Sequence, residues 1–155
     1  MQITVRKLLR VGAFLLTAAF LGFIFYNSLQ NSTASDAQSD GVVHWLQPVL
    51  NWLHIGDDMA TFLVRKTGHF LEFFTLGCCL CLDIRILTRN WWARIFVPLF
   101  FGILFPVLDE TLQLFSPGRS SEVRDVLIDF CGVCVGILIA TPILTLLFDR
   151  KKKNP

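Results

Sequence analysis

Ionisable and hydrogen-bonding residues stand at matching ends of the apolar segments in this 155-residue chain. One group opens the second long apolar segment, another closes the third, and the rest lie in the following loop and at the start of the fourth. If the segments cross a membrane in alternating directions, all of these residues meet at one face. Charged groups in hydrocarbon are costly and usually functional. The candidates are Lys66, His69, Glu72, Asp109, Glu110, Gln113, Arg119, Asp125 and Asp129.

These residue types suit acid–base chemistry or the binding of an anion. A histidine beside a carboxylate can transfer protons, and an arginine fork matches phosphate or carboxylate. The catalytic candidates are His69, Glu72, Asp109 and Asp125, and the binding candidates are Lys66, Gln113, Arg119 and Asp129. A divalent metal is a possible cofactor that the sequence does not require. Its hard oxygen ligands would come from Asp109, Glu110, Asp125 or Asp129.

Composition predicts an all-α integral membrane bundle. The chain is 54% hydrophobic and only 17% charged, whereas a soluble domain would carry more charge. Because a transmembrane helix needs about 20 apolar residues, we expect one domain over 1–155 with four transmembrane helices. They are placed near 9–29, 65–84, 95–115 and 126–148.

The distribution of positive charge predicts the orientation. Of the 14 lysines and arginines, only Arg65, Lys66, Arg119 and Arg124 flank the face with the polar candidates. The positive-inside rule then places both termini in the cytoplasm of a multi-pass cell-membrane protein. The 30–64 connection and the 116–125 loop would face outward, and the basic tail 149–155 would lie inside.

The first apolar segment and the connection after it admit alternatives. A basic start followed by an apolar stretch resembles a signal peptide, but the stretch is long and lacks a clear cleavage site, which favours a retained anchor. Residues 27–40 are typical of a solvated loop, and 42–53 repeat apolar residues at helical spacing around Pro48. This second part predicts a short outer amphipathic helix, either lying on the membrane or capping the bundle. Asp57 or Asp58 would N-cap the next helix.

Helical spacing also predicts which polar residues face inward. Asp109 and Gln113 are four residues apart and share one helix side, while Glu110 points about 100° away toward a neighbouring helix. In the last segment, Asp125 and Asp129 align with two glycines, Gly132 and Gly136, that would let another helix come close. The residues 116–119 predict a tight turn, since proline and glycine favour its two central angles.

Three stretches of the sequence resemble the VanZ-like family. They are RKTGHFLEF at 65–73, LDETLQLFSPGRSSEVRD at 108–125 and DFCGVCVG at 129–136. Asp129 stands where the family commonly has asparagine. The resemblance implies a small multi-helix membrane protein, and a named member of the family is linked to resistance against the glycopeptide teicoplanin.

Three functions fit these observations. The first is a cell-envelope protein that binds a lipid-linked or phosphate-bearing ligand, including a cell-wall component, or that reduces susceptibility to a glycopeptide. The second is a membrane-embedded hydrolase or transferase acting on a lipid or polyprenyl phosphate headgroup. The third is a proton-coupled transporter relaying through Glu72 and Asp129, and the lack of polar residues toward the predicted cytoplasmic side counts against it. Membrane lipid is the expected partner, and nucleic acid is not.

Overall fold

Five α-helices form the structure, which is a computed structural model describing residues 2–119 and 121–149. In chain order they are α1 (Gln2–Ser28), α2 (Ser32–Trp52), α3 (Asp57–Leu87), α4 (Trp91–Gln113) and α5 (Val123–Asp149). The all-α prediction is confirmed over these residues. The predicted basic tail, from residue 150 onward, lies outside the described residues.

Three of the described helices, rather than the predicted four, are long and apolar enough to cross a membrane. They are Lys7–Ser28, Trp91–Gln113 and Val123–Phe148. The predicted span 65–84 falls within α3, which carries Lys66, Glu72 and Asp83 along its length. Helix α3 packs against all four other helices, so its polar side chains face protein. That position explains why α3 is less apolar than the three candidate spans.

The packing of α3 against α5 depends on glycines that leave room for the opposite backbone. A Cβ atom at Gly132 would lie 2.5 Å from the carbonyl oxygen of Phe70. A Cβ at Gly136 would collide with the carbonyl oxygen of Phe74. On α3, a Cβ at Gly77 would lie 2.6 Å from the carbonyl oxygen of Val133. The prediction that the α5 glycines admit a neighbouring helix is therefore confirmed.

An apolar core cluster, formed by Ile24, Phe73, Leu76 and Val133, fills the middle of the bundle, and each member is 0% exposed. It separates the polar residues at one end of α3 from Asp83, which lies two turns further along and is only 5% exposed. Sequence reasoning recognised no buried polar group on this second side, and Asp83 corrects that view. The apolar core cluster still interrupts any polar path between the two ends.

Helix α2 begins earlier than expected and lies against α3. Asn31 is its N-cap, and the Asn31 side chain accepts a hydrogen bond of 2.8 Å from the backbone N–H of Ala34. Residues 32–40, which form much of the predicted loop 27–40, are therefore helical. One face packs on α3 through Val43 and Leu50. The opposite face exposes two tryptophans, Trp45 at 80% and Trp52 at 76%. The packing of α2 on α3 agrees with the capping alternative, and a membrane-surface position for its exposed apolar face stays a prediction.

The start of α3 also differs from the prediction. Gly56, and neither Asp57 nor Asp58, is the N-cap residue, and it makes no side-chain capping bond. Both aspartates lie in the first turn of α3 instead. Carboxylates there still stabilise the helix, because the N-terminal end of the helix dipole is positive.

Orientation in the membrane is testable at exposed positions near opposite ends of the bundle. We expect a cysteine replacing Ala37 in α2 to react with an impermeant maleimide added outside intact cells, and a cysteine replacing Asn90 to react only after lysis. The background should lack the five native cysteines, Cys78, Cys79, Cys81, Cys131 and Cys134. Labelling at position 90 but not 37 in intact cells would reverse the predicted topology.

The α3–α5 contact is testable with a single methyl group. We expect Gly136→Ala to lower the melting temperature in detergent, because overpacking a tight contact costs about 1–3 kcal/mol. Gly22→Ala in α1 is the matched control, since a Cβ there meets nothing within 4 Å. Alanine is a better helix former than glycine, so the control should be neutral or stabilising. Equal melting temperatures for both variants would show that the backbones are not in close contact.

Candidate functional site

The turn after α4 places Arg119 over the end of the bundle. The backbone N–H of Arg119 donates to the carbonyl oxygen of Ser116 at 3.2 Å, which closes a four-residue turn. Gly118 has a φ of 76°, a left-handed value that glycine adopts readily. The predicted tight turn is confirmed. It is also tied to α2, because the Ser32 N–H donates to the Pro117 carbonyl oxygen at 3.2 Å.

Asp109 lies at the centre of a buried hydrogen-bond network between α1 and α4, and it is 0% exposed. Ser28 Oγ donates to Asp109 Oδ1 at 2.6 Å. Gln113 Nε2 donates to Asp109 Oδ2 at 3.0 Å, as expected from the shared helix side. Ser116 Oγ in turn donates to the Ser28 carbonyl oxygen at 3.0 Å. Both carboxylate oxygens of Asp109 are thereby held in fixed directions.

His69 and Glu72 follow one another on the inner side of α3. Their side chains approach to 3.8 Å between His69 Nδ1 and Glu72 Oε2, which is too long for a hydrogen bond. Asn27 Nδ2 of α1 donates to Glu72 Oε1 at 2.8 Å. His69 Nδ1 is buried and has no hydrogen-bond partner among the described residues.

The cations of the site differ in their partners. Lys66 forms an ion pair with Asp125, linking α3 to the start of α5. Arg65 pairs with Asp36 of α2 at 3.0 Å. The remaining pair, between Arg124 and Glu122 at 3.2 Å, is largely exposed and joins neighbours in the chain.

Arg119 differs from these cations, since it forms no ion pair with a carboxylate of the described residues. Asp109 bonds to Ser28 and Gln113 instead, and Asp125 pairs with Lys66. Burial lowers the pKa of Arg119 from its ordinary value, and repulsion from Arg65 adds to the shift. An arginine remains charged in proteins, so the site holds one guanidinium whose positive charge is not balanced by an ion pair among the described residues.

Three residues from three helices converge below this fork. Ligand atoms of His69 in α3, Asp109 in α4 and Asp129 in α5 all lie within 4.8 Å of one another. Asp129 is 1% exposed, and its Oδ2 atom has no hydrogen-bond partner among the described residues. Glu110 stands apart from this group, because its Oε2 accepts from the Glu122 N–H at 3.1 Å. Asp125 is likewise engaged elsewhere, with Lys66.

Two pockets border this group of residues through His69. The first has a volume of about 110 Å³ and is lined by Arg65, Lys66, His69, Gln113, Arg119 and Asp125, among others. The second has a volume of about 170 Å³, lies between α2 and α3, and reaches Glu72. His69, Arg65 and Arg119 line both pockets. A ligand in either pocket would therefore meet the histidine and the arginine together.

All nine sequence candidates lie at this end of the bundle, and the structure adds three residues that the sequence analysis missed. Asn27, Ser28 and Ser116 supply hydrogen bonds to Glu72, Asp109 and the end of α1. The available signal was the polar pair that ends the first apolar segment, Asn27 and Ser28. The predicted span 9–29 and the predicted loop 27–40 overlap at these two residues, and the structure places both in the last turn of α1.

Comparison with known proteins identifies the family. A family model described as VanZ/LLP1 matches residues 13–147. The chain belongs to the VanZ/LLP1 family. This match confirms the resemblance seen in the three sequence stretches, and with the apolar helices it supports a membrane protein of the VanZ type. Searches of curated proteins and of solved structures found no match.

The Lys66–Asp125 pair allows a test of structural against functional roles. The two side chains are only 17% and 13% exposed, and breaking a buried pair costs up to about 3–5 kcal/mol. We expect Lys66→Met to lower the melting temperature in detergent and Lys66→Met with Asp125→Asn to restore part of the loss. Arg124→Met, which breaks an exposed pair, is the control and should have little effect. A Lys66→Met variant as stable as the wild type would show that the Lys66–Asp125 pair does not contribute to stability.

Proposed function

We propose that this VanZ-type membrane protein binds the phosphate-bearing headgroup of a membrane lipid or of a lipid-linked envelope component. The observation that carries the proposal is the guanidinium of Arg119, which lines a polar pocket and forms no ion pair with the described residues. The other three cations of that pocket, Arg65, Lys66 and Arg124, each have a carboxylate partner. Of the four lysines and arginines that line this pocket, only Arg119 has no carboxylate partner among the described residues, so it is the candidate to bind an anion from outside the protein.

Geometry favours a headgroup at the membrane surface over a ligand deep in the bundle. Arg119 lies in the loop after an apolar helix that ends at Gln113, which is where lipid headgroups meet a membrane protein. Arginine binds phosphate through two parallel hydrogen bonds. The second pocket, between α2 and α3, opens beside the exposed apolar face of α2, so an acyl or polyprenyl chain could remain in lipid.

Lipid-linked cell-wall precursors fall within this ligand class. Their handling at the outer surface would lower susceptibility to a glycopeptide such as teicoplanin. The outward orientation of the site, predicted from the charge bias, is the condition for this role.

A second candidate is an enzyme acting on the same headgroup. His69 lines both pockets and adjoins two buried carboxylates, Asp109 and Asp129. In this role His69 would exchange a proton with the phosphate ester or with an attacking water. A transporter is disfavoured, because the apolar core cluster lies between this site and Asp83.

Binding of phosphate lipids is the direct test. We expect the detergent-purified protein to bind short-chain phosphatidic acid and a polyprenyl phosphate, and not phosphatidylcholine or a polyprenyl alcohol. Loss of a charge-assisted hydrogen bond costs about 1.5–3 kcal/mol, so Arg119→Gln should weaken binding roughly ten- to hundredfold. Arg119→Lys should weaken it less.

The matched control is Arg89→Gln, which removes an exposed arginine from the loop between α3 and α4, far from Arg119. It should leave the affinity unchanged. Equal affinities for the Arg119→Gln and Arg89→Gln proteins, or equal binding of the phosphate and alcohol lipids, would contradict the proposal.

A further inference from the structure

We propose that His69, Asp109 and Asp129 form a binding site for one divalent transition-metal ion, Zn²⁺ or Mn²⁺, beneath the headgroup pocket. Their ligand atoms lie within 4.8 Å of one another. Zinc bonds to nitrogen and oxygen are about 2.0–2.2 Å long, so neighbouring ligand atoms around one ion are roughly 3–4 Å apart. Small rotations of the His69 and Asp129 side chains would close the difference.

Burial without a hydrogen-bond partner is the independent observation. Asp129 is 1% exposed, and its Oδ2 accepts no hydrogen bond from the described residues. His69 Nδ1 is also buried without a partner. Buried polar atoms in proteins are nearly always paired, and an exception calls for an explanation such as a bound ion. The unsatisfied atoms belong to two of the three proposed ligands.

The charge balance of the cluster points the same way. Asp109 and Asp129 are two buried carboxylates at close range, and neither has an ion-pair partner among the described residues. The nearest lysine, Lys66, is already paired with Asp125. A divalent cation bound between the two carboxylates would neutralise both charges. The competing solution is a proton shared by the two aspartates, which binds no metal.

Hydrogen bonds from neighbouring side chains already orient Asp109, one of the three proposed ligands. Ser28 and Gln113 donate to the two oxygens of Asp109, at 2.6 and 3.0 Å. Each oxygen keeps a second lone pair, so this arrangement fixes the carboxylate without blocking it. Hydrogen-bond donors that hold a ligand residue in this way are typical of metal sites, and their loss commonly reduces metal affinity by about 10–100-fold.

The donor set indicates the kind of ion. One imidazole and two carboxylates suit Zn²⁺, and carboxylates also suit Mn²⁺. Three protein ligands leave a coordination position open, as in catalytic zinc sites. His69 lines both pockets, so the open position would face them. A phosphate oxygen could then bind the ion while Arg119 holds a second oxygen, and this last step rests on the proposed headgroup binding.

Metal content measures the site without any ligand. The protein, carrying an affinity tag without histidine, should be stripped with a chelator, incubated with Zn²⁺ or Mn²⁺, desalted and analysed by mass spectrometry of the metal. We expect about one ion per chain and a metal-dependent rise in melting temperature. Asp129→Asn and His69→Gln should lose both effects, and Ser28→Ala should bind the ion more weakly by about 10–100-fold.

Two controls separate this site from other binding. Asp83→Asn removes a second buried carboxylate with an unpartnered oxygen, on the far side of the apolar core cluster. His44→Gln with His54→Gln removes the other histidines of the chain. Both proteins should bind metal as the wild type does. Cobalt added to the wild type should give no thiolate charge-transfer band, which excludes Cys131 and Cys134 as ligands independently of any variant.

Several outcomes would overturn the inference. They are wild-type protein without bound metal, Asp129→Asn protein that keeps it, loss of metal in the control variants, or a thiolate band with cobalt. The headgroup proposal has its own readout. An Arg119→Gln protein should keep its metal and lose phosphate-lipid binding. A protein that binds phosphate lipids but no metal would refute the metal site alone.

Discussion

The close backbone contact between α3 and α5 determines the rest of the structure. Gly132 and Gly136 let α5 lie almost directly on the carbonyl groups of Phe70 and Phe74. His69 directly precedes Phe70, and Asp129 lies one turn before Gly132 in α5. Bringing the two backbones together therefore also brings the histidine and the aspartate together. A larger residue at either glycine would separate the helices and disperse the polar cluster.

The second constraint is the free-energy cost of placing charged side chains in lipid. Helix α3 avoids much of this cost because it lies at the centre of the bundle. A helix bearing Lys66, Glu72 and Asp83 would be costly in lipid, but four neighbouring helices surround it. Ion pairs and side-chain donors satisfy many of its polar atoms. Among the described residues, buried oxygen or nitrogen atoms without a hydrogen-bond partner lie on His69, Asp125 and Asp129 at one end of α3, and one lies on Asp83 toward the other end. Most of these atoms therefore lie at the end of the bundle that holds Arg119.

Sequence reasoning predicted the helical class, the family and the end of the bundle where the polar residues meet, because apolar periodicity and charge placement are local signals. It predicted the second half of α2 but missed the first half, since the Ser- and Asp-rich stretch after Asn31 has the composition of a loop. Capping by Asn31 and packing on α3 overrode that composition. The grouping of His69 with Asp129 was also not predicted. It depends on how α3 and α5, which are far apart in the sequence, are rotated against each other. The apparent span in α3 failed for a related reason, as burial by neighbours is invisible in one segment.

Helix α2 is joined to the site by contacts of unequal strength. The Ser32–Pro117 backbone bond holds its first turn near Arg119. Further along, the Arg65–Asp36 pair is 35% and 46% exposed, and it adjoins the second pocket. Salt screens exposed pairs far more than buried ones. Higher ionic strength should therefore weaken the Arg65–Asp36 pair and loosen the contact between α2 and α3. The less exposed Lys66–Asp125 pair should be affected less and should continue to link α3 to α5.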